Sequence, residues 1–224
     1  MPEFKLNCVL FDLDGTLIDT APDLIASLNQ ALIAHDFKAL DYQAVQPLIS
    51  HGVMAMINQG AGDAEPELKT RLLELVLDNY EANIAVNSRL YAGISESLAA
   101  IEALGLKWGV VTNKRQRFTQ PLLAAMGLSR RAACIVSGDS TANPKPHADP
   151  MLAACKQAGV LPENCVYIGD AAHDIVAGKS VNMKTLAAVY GYLQAQDQPE
   201  TWGADALIAH PQQIIEWVNS SLCL

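Results

Sequence analysis

Five short apolar runs rich in β-branched residues, at 8–11, 108–111, 133–136, 166–168 and 185–189, constrain this chain more than any other feature, and 206–208 is a candidate sixth. Helix-length segments separate most of them, the pattern of a parallel sheet with helices on both faces. A strand buried on both sides reads as a continuous apolar run, as these do. The punctuation agrees. Ser95 is positioned to cap a helix that stops at Gly105, and Gly127 and Gly159 follow two more helices as left-handed terminators. Asn182 can terminate a fourth, and Asp149-Pro150 reads as an N-cap followed by proline at the first helical position.

One interval breaks the alternation. From about residue 20 to 86 only helical periodicity is visible. Thr20 and Asp23 have the spacing of a capping box, after which Leu24, Leu28, Ala31 and Leu32 share one face. Leu68, Leu72, Leu75 and Val76 make a second amphipathic stretch, and the Gly-Ala-Gly-Asp at 60–63 marks a loop between helices. The expected architecture is an α/β, Rossmann-like parallel-sheet core from residues 1–19 and 87–224, carrying an inserted all-helical cap at 20–86.

Composition narrows the partners. A net charge of -9 and a pI near 4.9, with no basic run, weigh against nucleic acid or an anionic membrane surface. A small anionic substrate stays open, because a bound cation and a few donors can reverse a local field. No apolar run approaches the ~18 residues of a membrane span. Residues 1–5, Met-Pro-Glu-Phe-Lys, have no signal-peptide pattern. The five cysteines (Cys8, Cys134, Cys155, Cys165, Cys223) are scattered without a C-x-x-C, which suits small buried hydrophobes in a reduced, cytoplasmic protein. Both a monomer and a homodimer are compatible with the sequence.

In open α/β sheets ligands bind at the carboxyl ends of the strands. Strand one ends in Asp12-Leu13-Asp14-Gly15-Thr16, the second in Thr112-Asn113-Lys114, and the fourth in Gly169-Asp170, with Asp174 one helical turn on. Lys145 lies between two prolines in the loop after the third. Carboxylates, a hydroxyl, an amide and an ammonium thus converge on one edge. That set suits Mg²⁺, which takes hard oxygen ligands and commonly binds through one or two carboxylates plus a substrate phosphate. Thr112, Asn113 and Lys145 can donate to the phosphate's far side. Taken singly, each residue has a plain structural role; an aspartate at a strand end is usually a turn or cap residue. The calcium-loop pattern fails because Gly15 comes too early and no suitable glutamate follows.

Residues 11–17, Phe-Asp-Leu-Asp-Gly-Thr-Leu, resemble the first motif of the haloacid dehalogenase superfamily of phosphatases. Residues 110–114 are similar to its second motif, Lys145-Pro146 to its third, and Gly169-Asp170 with Asp174 to its fourth. The resemblance spans essentially the whole chain. Residues 19–24 and 190–192 narrow it towards the phosphoglycolate phosphatase-like branch. The strings at 87–91, 108–109 and 202–205 resemble the N-acetylmuramic acid 6-phosphate phosphatases within it.

The resemblance implies that Asp12 is a nucleophile that becomes phosphorylated and that Asp14 is the general acid and base. It also implies that Asp12, the backbone carbonyl of Asp14, and Asp170 bind Mg²⁺, with Asp174 beside them or acting through water. Thr112 and Lys145 would hold phosphate, with Lys114 reaching only the rim of the site. The substrate would be a small phosphorylated metabolite, N-acetylmuramic acid 6-phosphate ahead of 2-phosphoglycolate. Two positions depart from the family pattern: Ala148, where relatives often have proline, and His173, where arginine or asparagine is commoner. His173 is either a tuner of the metal's surroundings or a helix-surface residue. His51 and Met54 on the cap, and Arg89 where the chain returns to the core, are the candidates for substrate choice. Arg89 suits a substrate carboxylate. For these residues ordinary packing or solvation is the alternative. A phosphosugar mutase would share Asp12, Asp14 and the metal site, whereas a non-catalytic binding protein would be expected to have lost Asp12, Asp14 or Lys145. A dehalogenase has no need of Asp14.

Overall fold

The computed structural model describes residues 4–222. Its strands are β1 (Cys8–Phe11), β2 (Ile18–Asp19), β3 (Arg89–Leu90), β4 (Lys107–Val111), β5 (Ile135–Val136), β6 (Cys165–Gly169), β7 (Lys184–Ala188) and β8 (Ala206–Ile208). Six of these form a parallel sheet in the order β5-β4-β1-β6-β7-β8. The first strand lies inside it, with Cys8 opposite Lys107 on one side and Cys165 on the other.

The apolar runs are continuous because both faces are covered. Val9 and Phe11 of β1 join Trp108, Val110, Val166 and Ile168 in one cluster, closed by Leu98 and Ile101 of α5 (Ile94–Ala103), Leu122 of α6 (Gln116–Ala125) and Ile214 of α9 (Gln212–Leu222). Cys8 and Leu10 point to the other face, against Tyr167, Met151 and Cys155 of α7 (Asp149–Ala158) and Ala177 of α8 (Ala172–Ser180). Each such side chain contributes roughly 1.5–3 kcal/mol relative to exposure. Cys8, Cys134, Cys155 and Cys165 are buried free thiols, as expected; Cys223 and the first three residues lie outside the described part.

Between β2 and β3 the chain is helical: α1 (Ala21–Ala34), α2 (Tyr42–Val45), a 3₁₀ turn at Gln46–His51, α3 (Val53–Ala61) and α4 (Pro66–Ala82). Leu24, Leu28, Leu32, Met56, Leu72, Val76 and Tyr80 form a separate apolar cluster, joined from the α/β part by Phe118 and Tyr192. Among the described residues, no helix is long and apolar enough to cross a membrane.

Several local expectations are corrected. Thr20 precedes α1, but no capping box forms. The Thr20 hydroxyl donates instead to Asp14 (2.5 Å), and Asp23 accepts from the backbone N–H groups of Asn87 and Ser88 and from the Ser88 hydroxyl (2.7–2.9 Å). Asp23 of this motif thus joins the two ends of the helical segment, while Thr20 ties its start to the loop after β1. The antiparallel pair β2–β3, at the same junction, is too short to leave a periodic signal. Ser95 lies inside α5, whose cap is Gly93 at φ +96°, and Asp149 is the first residue of α7, not its cap. Gly60 and Ala61 belong to α3, so that turn begins later than expected. The strand read at 133–136 shortens to β5. Gly127, Gly159 and Asn182 do terminate helices at positive φ.

Candidate active site

Because the strands are parallel, β1, β4 and β6 deliver Asp12, Thr112 and Asp170 to one edge. The Asp12 N–H continues the ladder to the Ile168 carbonyl (2.8 Å), so its side chain leaves the sheet at a fixed point. Gly15, at φ +83°, turns the chain back over that edge, and a Cβ there would collide with the Asp170 carboxylate.

Asp12, Asp170 and Asp174 bring carboxylate oxygens within 4.8 Å of one another, all buried. Lys145, completely buried itself, donates to Asp12 Oδ1 (2.7 Å), Asp174 Oδ1 (2.7 Å), the Tyr167 hydroxyl (2.8 Å) and the Val111 carbonyl (3.1 Å). Burial would lower the lysine's affinity for its proton, but Asp12 and Asp174 outweigh it and raise the pKa. Asp174 is affected oppositely: burial pushes up, while Lys145, His173 and hydrogen bonds bring the net result below the usual carboxylate range. Burial is also the chief cause that lifts Asp12 to about 6, against the pull of Lys145. Asp170 is driven well above the ordinary value by burial and then by Asp12 and Asp174. Ionising all three carboxylates would leave two negative charges beyond the Lys145 ammonium, the charge one divalent cation supplies, and the raised Asp12 and Asp170 values express the cost of ionising them without it. The donor set is all oxygen, the chemistry that hard cations select.

Asp170 is oriented from three directions. Thr16 donates to Oδ1 (3.2 Å), while Ser50 of the 3₁₀ turn (3.2 Å) and the Tyr192 N–H (2.8 Å) donate to Oδ2. The Tyr192 hydroxyl accepts from the N–H groups of Thr20 and Ala21 and donates to Asp19, so one residue links the carboxylate to the start of α1. Asp14 stands apart from the cluster and accepts from Lys114 Nζ (2.9 Å) and Thr20 on the same oxygen.

Above this floor is a cavity of about 410 Å³ between the sheet edge and the helices. Asp12, Asp14, Thr112, Asn113, Lys145, His51, Met54 and His173 line it. Three residues differ from expectation. Asn113 has both ends of its amide engaged by the Lys145 backbone (2.9 and 3.1 Å), so its side chain fixes the loop and keeps only the second Nδ2–H as a donor. Lys114 is not at the rim: it is buried on Asp14, 4.5 Å from the Tyr80 ring centroid. Arg89 is exposed, donates to the Val86 and Ser88 carbonyls and lies outside the lining. Its guanidinium instead holds carbonyls of the segment that leads into β3.

His51 meets Gln194, and His173 sits 3.7 Å from Asp174, its pKa lowered chiefly by burial. Tyr167, Ser50 and Arg115 carry no sequence signal of a site, and Thr16, Thr20 and Tyr192 read there only as parts of a motif, a helix cap and a family string. A tyrosine inside a strand run carries no local sign that its hydroxyl will meet a lysine 22 residues away.

The family model for haloacid dehalogenase-like hydrolases matches residues 9–188. N-acetylmuramic acid 6-phosphate phosphatase of Pseudomonas aeruginosa is 42% identical over 225 residues, covering 100% of this chain and 99% of that one. Phosphoglycolate phosphatase of Xanthomonas campestris is 36% identical, over 94% and 95% of the two chains. A crystal structure described as a predicted phosphoglycolate phosphatase from Haemophilus somnus superposes with a TM-score of 0.85 at 27% identity, over 97% and 99%. The chain belongs to the haloacid dehalogenase-like hydrolase family, as one of its phosphatases.

Proposed function

We propose that the chain is a magnesium-dependent phosphomonoesterase that forms an aspartyl-phosphate on Asp12, with N-acetylmuramic acid 6-phosphate as its preferred substrate. The observation that carries this reading is the cavity floor, where Asp12 lies 2.7 Å from Lys145 and within the Asp170–Asp174 carboxylate cluster. Without a cation that floor repels a phosphate dianion. Asp12, Asp170 and the backbone carbonyl of Asp14 would hold Mg²⁺, with Asp174 behind them. When bound, the ion supplies positive charge to the phosphoryl oxygens.

In the first step an Asp12 oxygen bonds to phosphorus as the bond from phosphorus to the ester oxygen breaks. Asp14 gives the departing oxygen a proton, so a neutral alcohol leaves. Lys114 and Thr20 both occupy Asp14 Oδ1, which leaves Oδ2 as the oxygen that carries the proton. Asp14 then takes a proton from water, the water oxygen bonds to phosphorus, and Asp12 is released as carboxylate with inorganic phosphate. Lys145 and Thr112 hold the phosphoryl group, and residues 20–86 act as a cap that excludes bulk water.

The substrate choice rests on two supports. Relatives bearing the N-acetylmuramic acid 6-phosphate name are 42% and 39% identical, against 36% for the phosphoglycolate phosphatase cited above. A cavity of about 410 Å³ also falls within the ~300–1,000 Å³ of pockets that hold drug-sized ligands, room for a sugar phosphate as well as for a two-carbon acid.

The test is kcat/KM on both phosphates, with Mg²⁺ and with excess EDTA. Undiminished turnover in EDTA removes the metal assignment, and a preference for phosphoglycolate removes the substrate assignment. A phosphosugar mutase would share these residues; release of inorganic phosphate in step with substrate loss separates the two.

A further inference from the structure

The charged groups lining the cavity are nearly all accounted for by one another. Lys145 is bound to Asp12 and Asp174, and Lys114 to Asp14. His173 is held towards its neutral form, and His51 meets Gln194. Arg115 is different. It lines the same cavity, immediately before α6, yet among the described residues its side chain has neither an ion-pair nor a hydrogen-bond partner. The neighbouring Arg117 and Arg131 pair with Glu81 and Glu102. Arg115 is thus an exposed guanidinium in the cavity lining that is not tied to any carboxylate, in a chain of net charge -9.

Much of the lining it shares is apolar. Leu24, Val53, Met54, Leu73, Leu77 and Phe118 make up much of the remaining wall. Such a wall lowers the effective dielectric, so a charge pair formed against it is worth more than one in open water. The two lysines cannot serve a second anion without leaving their carboxylates. Beyond the phosphate, the cavity therefore offers an apolar surface and one uncommitted, forked cation. A guanidinium matches a carboxylate with two parallel hydrogen bonds.

We infer that Arg115 is the specificity-determining residue that binds a carboxylate on the leaving group, remote from the phosphate, and so selects acid-bearing sugar phosphates over neutral ones. The inference rests on the phosphomonoesterase reading above and deepens it, giving Arg115 the role that location suggested for Arg89.

Two substrates isolate the contact. N-acetylmuramic acid 6-phosphate and N-acetylglucosamine 6-phosphate share sugar, acetamide and phosphate, and differ in the lactyl ether that carries the carboxylate. The wild-type enzyme should prefer the former. Arg115→Gln should lower kcat/KM for it on the order of 10–100-fold, the loss of one charge-assisted pair, mostly through KM. The loss on the carboxylate-free sugar should be at least about ten-fold smaller. Arg115→Lys should recover part of the preference, because the charge returns without the fork.

A wild-type enzyme indifferent to the lactyl group, or an equal loss on both substrates in Arg115→Gln, overturns the assignment while leaving the phosphatase intact. If neither sugar is turned over, competitive inhibition of aryl phosphate hydrolysis by the same pair gives the same comparison. Failure to hydrolyse any phosphomonoester overturns both readings together.

Discussion

Removing the Lys145 ammonium while keeping its apolar stem, as in Lys145→Met, tests the account of the cavity floor. The ammonium is completely buried and is shared between Asp12 and Asp174, 2.7 Å from each. Its loss leaves two buried carboxylates facing each other and Asp170 without a cation. Breaking a buried pair in this way costs about 3–5 kcal/mol, most of it from the charge left behind. Lys145 has a raised folded-state pKa, so its stabilisation is fully present below the unfolded lysine value and is lost only as pH rises through the folded one. At pH 7.5 the whole effect should be visible.

Urea unfolding in excess EDTA should therefore show the full loss. The same titration at one common excess of Mg²⁺ should show a smaller one, since without the ammonium the carboxylates bind the ion more tightly, and each tenfold gain in affinity returns about 1.4 kcal/mol to the variant. A loss in EDTA below about 1 kcal/mol, or the same loss with and without Mg²⁺, would refute the view of Lys145 as counter-charge to the cluster.

Asp12→Asn should abolish turnover with an unchanged fold, because a neutral amide cannot form the phosphoenzyme; steady-state release of phosphate, together with circular dichroism, checks both halves. Asp14→Asn should slow turnover by the ~10²–10⁴ typical of lost acid–base help, and a loss below tenfold would remove it from that role. Asp12 and Asp170 have raised folded-state pKa values, so in EDTA their contribution favours the folded state at low pH and is lost as pH rises, for Asp12 from about 4 to about 6. The Tm gain on adding Mg²⁺ should accordingly grow between pH 4.5 and 7, and a gain that shrinks over that window contradicts the assignment. Asp23→Ala should cost about 2–4 kcal/mol in urea unfolding, since the backbone donors of Asn87 and Ser88 lose a buried, charged acceptor.

The parts legible in the sequence are those whose cause is local. A strand buried on both faces writes itself as an unbroken apolar run, and a residue just past its end has to emerge at the sheet's edge; that is why Asp12, Thr112 and Asp170 could be located together. Asp174 followed from one helical turn. What could not be read is what depends on partners distant in sequence. The Thr20–Asp23 pattern has the right spacing for a capping box, but Thr20 turns to nearby Asp14 and Asp23 finds Ser88, 65 residues on. Arg89 and Arg115 look alike in sequence, each an arginine near the end of a motif. Only the course of the backbone turns one onto carbonyls of the segment just before its strand and puts the other in the cavity lining.

The central position of β1 also has a temporal consequence. Its Cys8 pairs with Lys107 and Cys165, so the strand made first on the ribosome is completed by strands made about 100 and about 155 residues later. At the ~5–20 residues per second of synthesis, the edges of β1 stay unsatisfied for many seconds. Meanwhile α1 and α4, which pack on each other, can already assemble. Folding should then run from the inserted helices outward to the sheet. Nascent chains halted after residue 130 should protect the helical segment from protease while leaving β1 cleavable, and chains halted well past residue 190 should protect both.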